Sequence, residues 1–364
     1  MKTVNIEYQW KRNGTNIPGA TRLEYETLIT QGDMSGAKIS VVETITTAGR
    51  SEGIESEPII MGTPPIVVLD QDYGRTQYRQ TLQHTLLDCK GGRWELSNIE
   101  APLNRYPVFV DDDSHDVIMQ GGEIHGNISL TGDWSEIYIN SAAVYARNSS
   151  NILMKDWIVS QVWDGFRMGG ADGAPAFQIE NCWVHVARDD AVENERCVEG
   201  EISDCLFDHV FSGISLTHSN TSAADYYDRE FRIFTVRDTI IRMHSFLRNG
   251  KIEQQPPFKL GDESCQLRLF NTVLAVDAPT MAGGARWPRL WNKLRSESEG
   301  NYLLNLSDTP LSDPGNPPAA HAAIPPAGSG FTLLEGQKAR DFWEMRKAAW
   351  LAARGYAPKP FPRA

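Results

Sequence analysis

Five short segments share one register: Lys155-Asp156-Trp157-Ile158, Glu180-Asn181-Cys182-Trp183, Ser203-Asp204-Cys205-Leu206, Arg237-Asp238-Thr239-Ile240 and Phe270-Asn271-Thr272-Val273, each with Asp or Asn in second place. The steps between them are 25, 23, 34 and 33 residues. A period in the twenties with one acid or amide per turn is what a parallel β-helix needs, because the polar side chain satisfies backbone groups at the bend between short strands. The two longer steps hold insertions at Asn220 to Arg229 and Arg248 to Pro257. A second register runs in phase: Asp164-Gly165-Phe166-Arg167-Met168, Asp190-Ala191-Val192-Glu193-Asn194, Ser212-Gly213-Ile214-Ser215-Leu216 and Pro256-Pro257-Phe258-Lys259-Leu260. Strand side chains alternate, so Phe166, Val192, Ile214 and Phe258 should face inward together and Arg167, Glu193, Ser215 and Lys259 should form an outward row. The fold class this implies is all-β, a right-handed parallel β-helix over residues 106–280.

Before this span the texture differs. Ile6, Tyr8 and Trp10 alternate, Asn13-Gly14 marks a turn, and Ile39 and Val41 alternate again, which is the two-residue period of half-buried strands. The order Tyr8-Gln9-Trp10, Asn13-Gly14, Ile17-Pro18-Gly19, Tyr25, Gly32-Asp33 and Ile39-Ser40-Val41 resembles bacterial and phage Ig-like modules that precede surface and tail domains, without the two strands that usually come first. Residues 1–60 are therefore expected to be a partial Ig-like β module. Residues 61–105 read as a Pro/Gly-rich linker and a cap over the open end of the stack, since a solenoid's first rung otherwise exposes apolar surface and strand edges. Residues 281–364 read as an irregular segment ending in an amphipathic helix, with Phe342, Met345, Ala349 and Trp350 on one stripe.

Composition narrows the partners. A net charge of −12 opposes binding to a phosphate backbone, which needs clustered Lys and Arg, so no nucleic acid is expected. No apolar run reaches membrane-spanning length, and no membrane partner is expected. The first residues lack the apolar core of a signal peptide, so export would need another route or a longer parent chain. Five cysteines without C-x-x-C spacing suggest buried thiols rather than a zinc site or disulfide framework, and no metal ligand set is assigned.

The sharpest local feature is Arg188-Asp189-Asp190-Ala191-Val192-Glu193. Crowded carboxylates raise at least one pKa, which is how a general acid is made at neutral pH. Asp164, Asp189, Asp190 and Glu193 are the candidate catalytic residues, and Arg167, Arg188, Ser215, His218 and Lys259 the candidate substrate-binding ones. The plainer reading is a ladder of opposite charges, since an Arg-Glu pair on adjacent strands stabilises a sheet by up to about 1 kcal/mol. Trp134, Trp157, Trp163 and Trp183 are either sugar-stacking platforms or core residues.

The series Asp164-Gly165, Asp189-Asp190, Ser212-Gly213 and Phe258-Lys259-Leu260 resembles the order of active-site motifs in polygalacturonase-type inverting glycosidases. That likeness implies Asp164, Asp189 and Asp190 as acid and bases and Lys259 on a substrate carboxylate. The family's histidine is missing at Ser212, and Phe258 and Ala191 also depart from its pattern. The run from Asp189 to Asn194, with Asp204 to Asp208, Gly213 to Ser215 and Pro257 to Lys259, resembles uncharacterised bacterial β-helix proteins of the pectate-lyase-like superfamily over about residues 110 to 355. The expected function is polysaccharide binding with cleavage by flank carboxylates, at the cell exterior or a virion surface. The alternatives are a non-catalytic adhesin or phage tail component, and a uronate lyase, the one reading that would call for Ca²⁺ as a cofactor. A homotrimer is the assembly such surface proteins often adopt, although no trimerisation signature is present.

Overall fold

Bends organise this chain, and they are visible first in the backbone. In the computed structural model, which describes residues 4–17, 38–47, 50–57, 59–60, 64–99, 101–169, 177–194, 196–217 and 232–362, Asp156, Asn181, Asp204, Asp238 and Asn271 all have φ between 50° and 62°. Asp and Asn tolerate this left-handed region because their short side chains hydrogen-bond locally. They also bond along the column: Asn181 Nδ2 donates to Asp156 Oδ1 at 2.6 Å and Asn271 Nδ2 to Asp238 Oδ1 at 3.2 Å. The column continues beyond the repeat with Gly121 (φ 75°) below Asp156 and Gly300 (φ 70°) above Asn271, positions where glycine adopts the same conformation without strain. A Cβ on Gly300 would sit 2.4 Å from Asn271 Oδ1, so the stacking itself also demands glycine there.

On one side of each bend lies an eight-stranded parallel sheet, running Ile66–Val68, Gln83–Asp88, His115–Gln120, Ser150–Lys155, Phe177–Glu180, Gly200–Ser203, Ile233–Arg237 and Gln266–Phe270. On the other side a second ladder runs from Asp72–Gly74 through Trp183–Glu193 and Leu206–Leu216 to Asn301–Asn305 and Phe331–Glu335. A third face pairs Tyr78–Gln80, Val108–Val110, Ala142–Arg147 and Asp164–Gly169, then the later halves of Trp183–Glu193 and Leu206–Leu216, then Phe258–Leu260. The chain is thus a parallel β-helix, and its rungs begin at Ile66 and end at Glu335. The stretch expected to be linker and cap carries the first rungs, and the C-terminal segment adds two more strands to one ladder. Leu69 and Cys89 hold the column position at the first two bends and Gly121 and Gly300 at the next ones out from the repeat, and this loss of Asp or Asn hides those rungs.

The alternation is as expected. Phe166, Val192, Ile214 and Phe258 are fully buried, and the register stacks Arg167 on Glu193, Glu193 on Ser215 and Ser215 on Lys259. All five cysteines are free and buried. Near the N-terminus, Val4–Arg12 pairs antiparallel with Lys38–Thr47 in a small separate sheet; Tyr25 and Gly32-Asp33 lie outside the described residues. The C-terminal helix, Gln337–Ala353, packs on the flank, where Ala339, Trp343, Trp350 and Leu351 cover Trp183, Leu206, Ile240 and Val273. Met345 is 56% exposed, so the buried stripe is rotated from the expected one. Lys347 pairs with the buried Asp208, and the tail beyond the helix lays Phe361 on His244 at 4.4 Å. Among the described residues no helix is long and apolar enough to cross a membrane.

Candidate active site

A period-two strand should send Asp189 and Asp190 to opposite faces. It does not, because the pairing of Trp183–Glu193 with Leu206–Leu216 passes from Ala187↔Val210 to Asp190↔Ser212, one extra residue on the first strand. Such a bulge re-aims side chains. Asp189 and Asp190 both reach one pocket of about 250 Å³ on the third face, whereas Arg188 turns away.

Within the pocket the charges are tied in two groups. Lys259 Nζ sits between Asp189 and Asp190, 2.8 Å from Asp190 Oδ1 and closer still to Asp189 Oδ1. Arg167 bridges Asp164 Oδ2 at 2.9 Å and Glu193 Oε2, and also donates to Asn140 Oδ1 and, at 3.2 Å, to the Tyr106 hydroxyl. The backbone N–H of Asp190 donates to Asp164 Oδ1 at 3.1 Å, so Asp164 braces the turn that carries the pair. Carboxylate oxygens of Asp164, Asp189 and Asp190 lie within 4.8 Å of one another.

This crowding sets the proton inventory. Burial, with the Asp189 charge behind it, pushes the Asp190 carboxyl up to about 7, against the downward pull of Lys259. Burial and Glu193 together hold Asp164 well above the usual carboxylate range despite Arg167. Burial alone would lower Lys259, but Asp189 and Asp190 outweigh it and raise the ammonium's pKa. One ammonium thus serves two carboxyls in a nearly dry site, and Asp190 holds its proton up to about neutrality.

The walls are aromatic and cationic. Trp134, Tyr138 and Trp163 line one side, with ring centroids 5.2 to 5.3 Å apart. Phe211, Arg248, Gln255 and Arg286 complete the lining, with the Arg248 guanidinium over the Trp134 ring at 5.3 Å. Arg248 belongs to the antiparallel hairpin Phe246–Arg248 and Lys251–Glu253, which fills one of the long steps, and it pairs with Glu253 at 3.2 Å. Arg286 begins the helix Arg286–Lys293 and donates to Gln255 Oε1 at 3.0 Å. Among the described residues no carboxylate forms an ion pair with it, and burial lowers its pKa against the pull of Asp190.

Of the nine residues named from the sequence, seven meet here: Asp164, Arg167, Asp189, Asp190, Glu193, Ser215 and Lys259. Arg188 does not reach the pocket. It is fully buried, donates to the Ser129 and Gly132 carbonyls at 3.0 and 2.7 Å, and stacks on Phe246 at 4.3 Å, so it fastens the Trp134 loop to the flank. His218 lies outside the described residues. Trp134 and Trp163 line the pocket; Trp157 is interior, donating to Met119 O at 3.0 Å, and Trp183 lies under the C-terminal helix. Arg286, Arg248, Gln255 and Tyr138 were not anticipated. The insertion at Arg248 to Pro257 was the available signal, because loops inserted between rungs build the walls of a groove.

The spacing bears on the inverting reading. The facing oxygens of these carboxylates approach within 4.8 Å, which is closer to the roughly 5–5.5 Å carboxyl separation of retaining glycosidases than to the roughly 6.5–9.5 Å of inverting ones. Lys259, saturated by two carboxylates, is also poorly placed to hold a substrate carboxylate. No protein-family model, curated protein or solved structure matches the chain.

Proposed function

We propose that this protein is a polysaccharide-cleaving β-helix protein of the pectate-lyase-like kind, acting at the cell exterior or a virion surface as a glycoside hydrolase on an acidic glycan. The observation that carries the reading is the buried Asp189–Asp190 pair sharing Lys259 at the foot of an aromatic-walled pocket. Asp190, protonated near neutrality, gives its proton to the leaving glycosidic oxygen as Asp189 bonds to the anomeric carbon and the glycosidic bond breaks; water, giving its proton back to Asp190, then hydrolyses the glycosyl–Asp189 bond. Asp164 and Arg167 position the pair and Glu193. Tyr138, 53% exposed and backed by the buried Trp163 at 5.3 Å, offers a face for a sugar ring. Arg286, desolvated and without an ion-pair partner among the described residues, supports an acidic rather than a neutral substrate, because a guanidinium fork matches a carboxylate.

The lyase alternative needs a free Arg or Lys base. Arg167 and Lys259 are each held by two carboxylates. This leaves Arg286, lining the pocket without an ion-pair partner among the described residues, as the one residue that could serve a lyase, and the carboxylate pair favours hydrolysis. The test is incubation with a panel of uronate-containing, sulfated and neutral polysaccharides, following reducing ends and ultraviolet absorbance together. New reducing ends without absorbance, on an acidic glycan and with retained anomeric configuration by proton NMR, are expected. Absorbance from unsaturated ends would make the protein a lyase, and binding without either signal would make it an adhesin.

A further inference from the structure

We infer that a transition-metal site of borderline character, taking Zn²⁺ or a similar ion, lies on the eight-stranded sheet at His84, His115 and Asp116, apart from the pocket. Parallel register creates it. His115 pairs with Gln83 and Val117 with Thr85, so Asp116 falls opposite His84 on the neighbouring rung. Both occupy the left-handed region, φ 56° and 48°, as does Asn151 (φ 54°) one rung further. One nitrogen from each imidazole and one oxygen of Asp116 lie within 4.8 Å of one another.

The surroundings orient these donors as a metal needs them. Asn151 Nδ2 donates to Asp116 Oδ1, which leaves Oδ2 turned toward His84 Nδ1 at 2.9 Å. His115 Nδ1 lies 3.2 Å from the Asp113 carbonyl, a contact that puts the proton on Nδ1 and the lone pair on Nε2. Metal-ligating histidines are commonly fixed by such a hydrogen bond to a carbonyl. The rings of His84 and His115 stand perpendicular, 4.9 Å between centroids. A His84–Asp116 ion pair alone would account for two of these residues. It does not account for a second imidazole drawn to the same corner with its tautomer fixed.

Two imidazole nitrogens and a carboxylate suit Zn²⁺, Ni²⁺ or Cu²⁺, whereas Ca²⁺ and Mg²⁺ prefer all-oxygen sets. In a tetrahedral sphere with bonds of roughly 2.0–2.2 Å the donors stand about 3.4 Å apart, so donors already within 4.8 Å have a short way to close, and the His84 side chain, 67% exposed, would exchange its pairing with Asp116 for the shared ion. Water would complete the sphere.

The experiment is calorimetric titration of the chelator-stripped full chain with Zn²⁺ at pH 7.5, repeated with Ca²⁺ and on His84→Ala, His115→Ala and the control His321→Ala. One Zn²⁺ should bind with micromolar or tighter affinity and Ca²⁺ should not. Each of the first two variants should lose more than about tenfold in affinity, and the control should lose nothing. Both substitutions fall on partly or largely exposed side chains, and an unchanged thermal melt checks that the variants fold. Absence of Zn²⁺ binding below millimolar concentration, or binding untouched by both variants, would overturn the inference. Loss of polysaccharide cleavage plays no part in either result.

Discussion

Replacing Lys259 with Met removes the cation between Asp189 and Asp190 and keeps much of the side-chain volume. The Lys259 side chain is 13% exposed, and those of Asp189 and Asp190 are 11% and 5% exposed. Taking one partner from a buried ion pair costs about 3–5 kcal/mol, and here two carboxyls lose their cation together. The loss has a defined pH dependence. Without Lys259 the folded-state Asp190 carboxyl rises further above the unfolded value of about 3.9, so the penalty is largest at pH 8 and shrinks as acid protonates it. The triple variant Asp189→Asn/Asp190→Asn/Lys259→Met should recover most of the stability at pH 8. Urea denaturation followed by the fluorescence of the ten tryptophans gives the midpoints, compared at a common m-value. A cycle pairing Lys259→Met with Asp190→Asn should yield a coupling of about 1–3 kcal/mol. Additivity within about 0.5 kcal/mol would mean that residues 69 positions apart in the chain do not meet, and the stacking argument would fail.

Three other outcomes follow from the geometry. Asp190→Asn should lower turnover by about 10²–10⁴-fold, the usual size of a general-acid contribution, while Lys259 keeps Asp189 and the urea midpoint moves little. Large unfolding instead would make the pair structural. Arg188→Ala should destabilise by several kcal/mol by leaving the Ser129 and Gly132 carbonyls unpaired, and Arg188→Lys should not restore it, because one ammonium cannot replace the fork stacked on Phe246; a variant as stable as the parent would refute that role. Burial depresses His185 to about 4 and His244 to about 3. Histidines held neutral in this way contribute stability that is complete above the unfolded value near 6.5 and is lost as pH falls toward the folded values, about 2 kcal/mol each by pH 5. Limited proteolysis should therefore release the tail carrying Pro360 and Phe361 far faster at pH 5 than at pH 7.5, since Pro360 O accepts from His185 Nε2 at 3.0 Å. Equal cleavage at both pH values would show that these rings are not buried.

How much of this was legible in the chain depended on local rules. The bend column could be read because φ near 50° admits few residues, and Asp156, Asn181, Asp204, Asp238 and Asn271 all belong to the set that tolerates it. Gly121 and Gly300 obey the same rule with a different letter, so the repeat faded while the rungs continued. The row Arg167, Glu193, Ser215 and Lys259 followed from side-chain alternation alone. Arg188 was grouped with its neighbours, because nothing local announces the bulge that sends Asp189 and Asp190 the same way and Arg188 elsewhere. Arg248 and Arg286 were hidden for another reason: which insertion folds over which rung is a tertiary fact, and neither the hairpin nor the helix carries the period of the stack. The Met345 stripe failed because a helix of mixed character can present more than one face, and contact with Trp183 and Leu206 chose the one with Trp343.

Cleavage as proposed depends most on a carboxyl kept protonated near neutrality beside a second carboxyl. Carbon-13 titration of aspartate side-chain carboxyls in the full-length protein measures this directly. A carboxyl with a midpoint near 7 that disappears in Asp190→Asn is the expected result. Aspartates that all titrate below about 5, close to the ordinary value of about 3.9, would contradict it and leave the pocket without its acid.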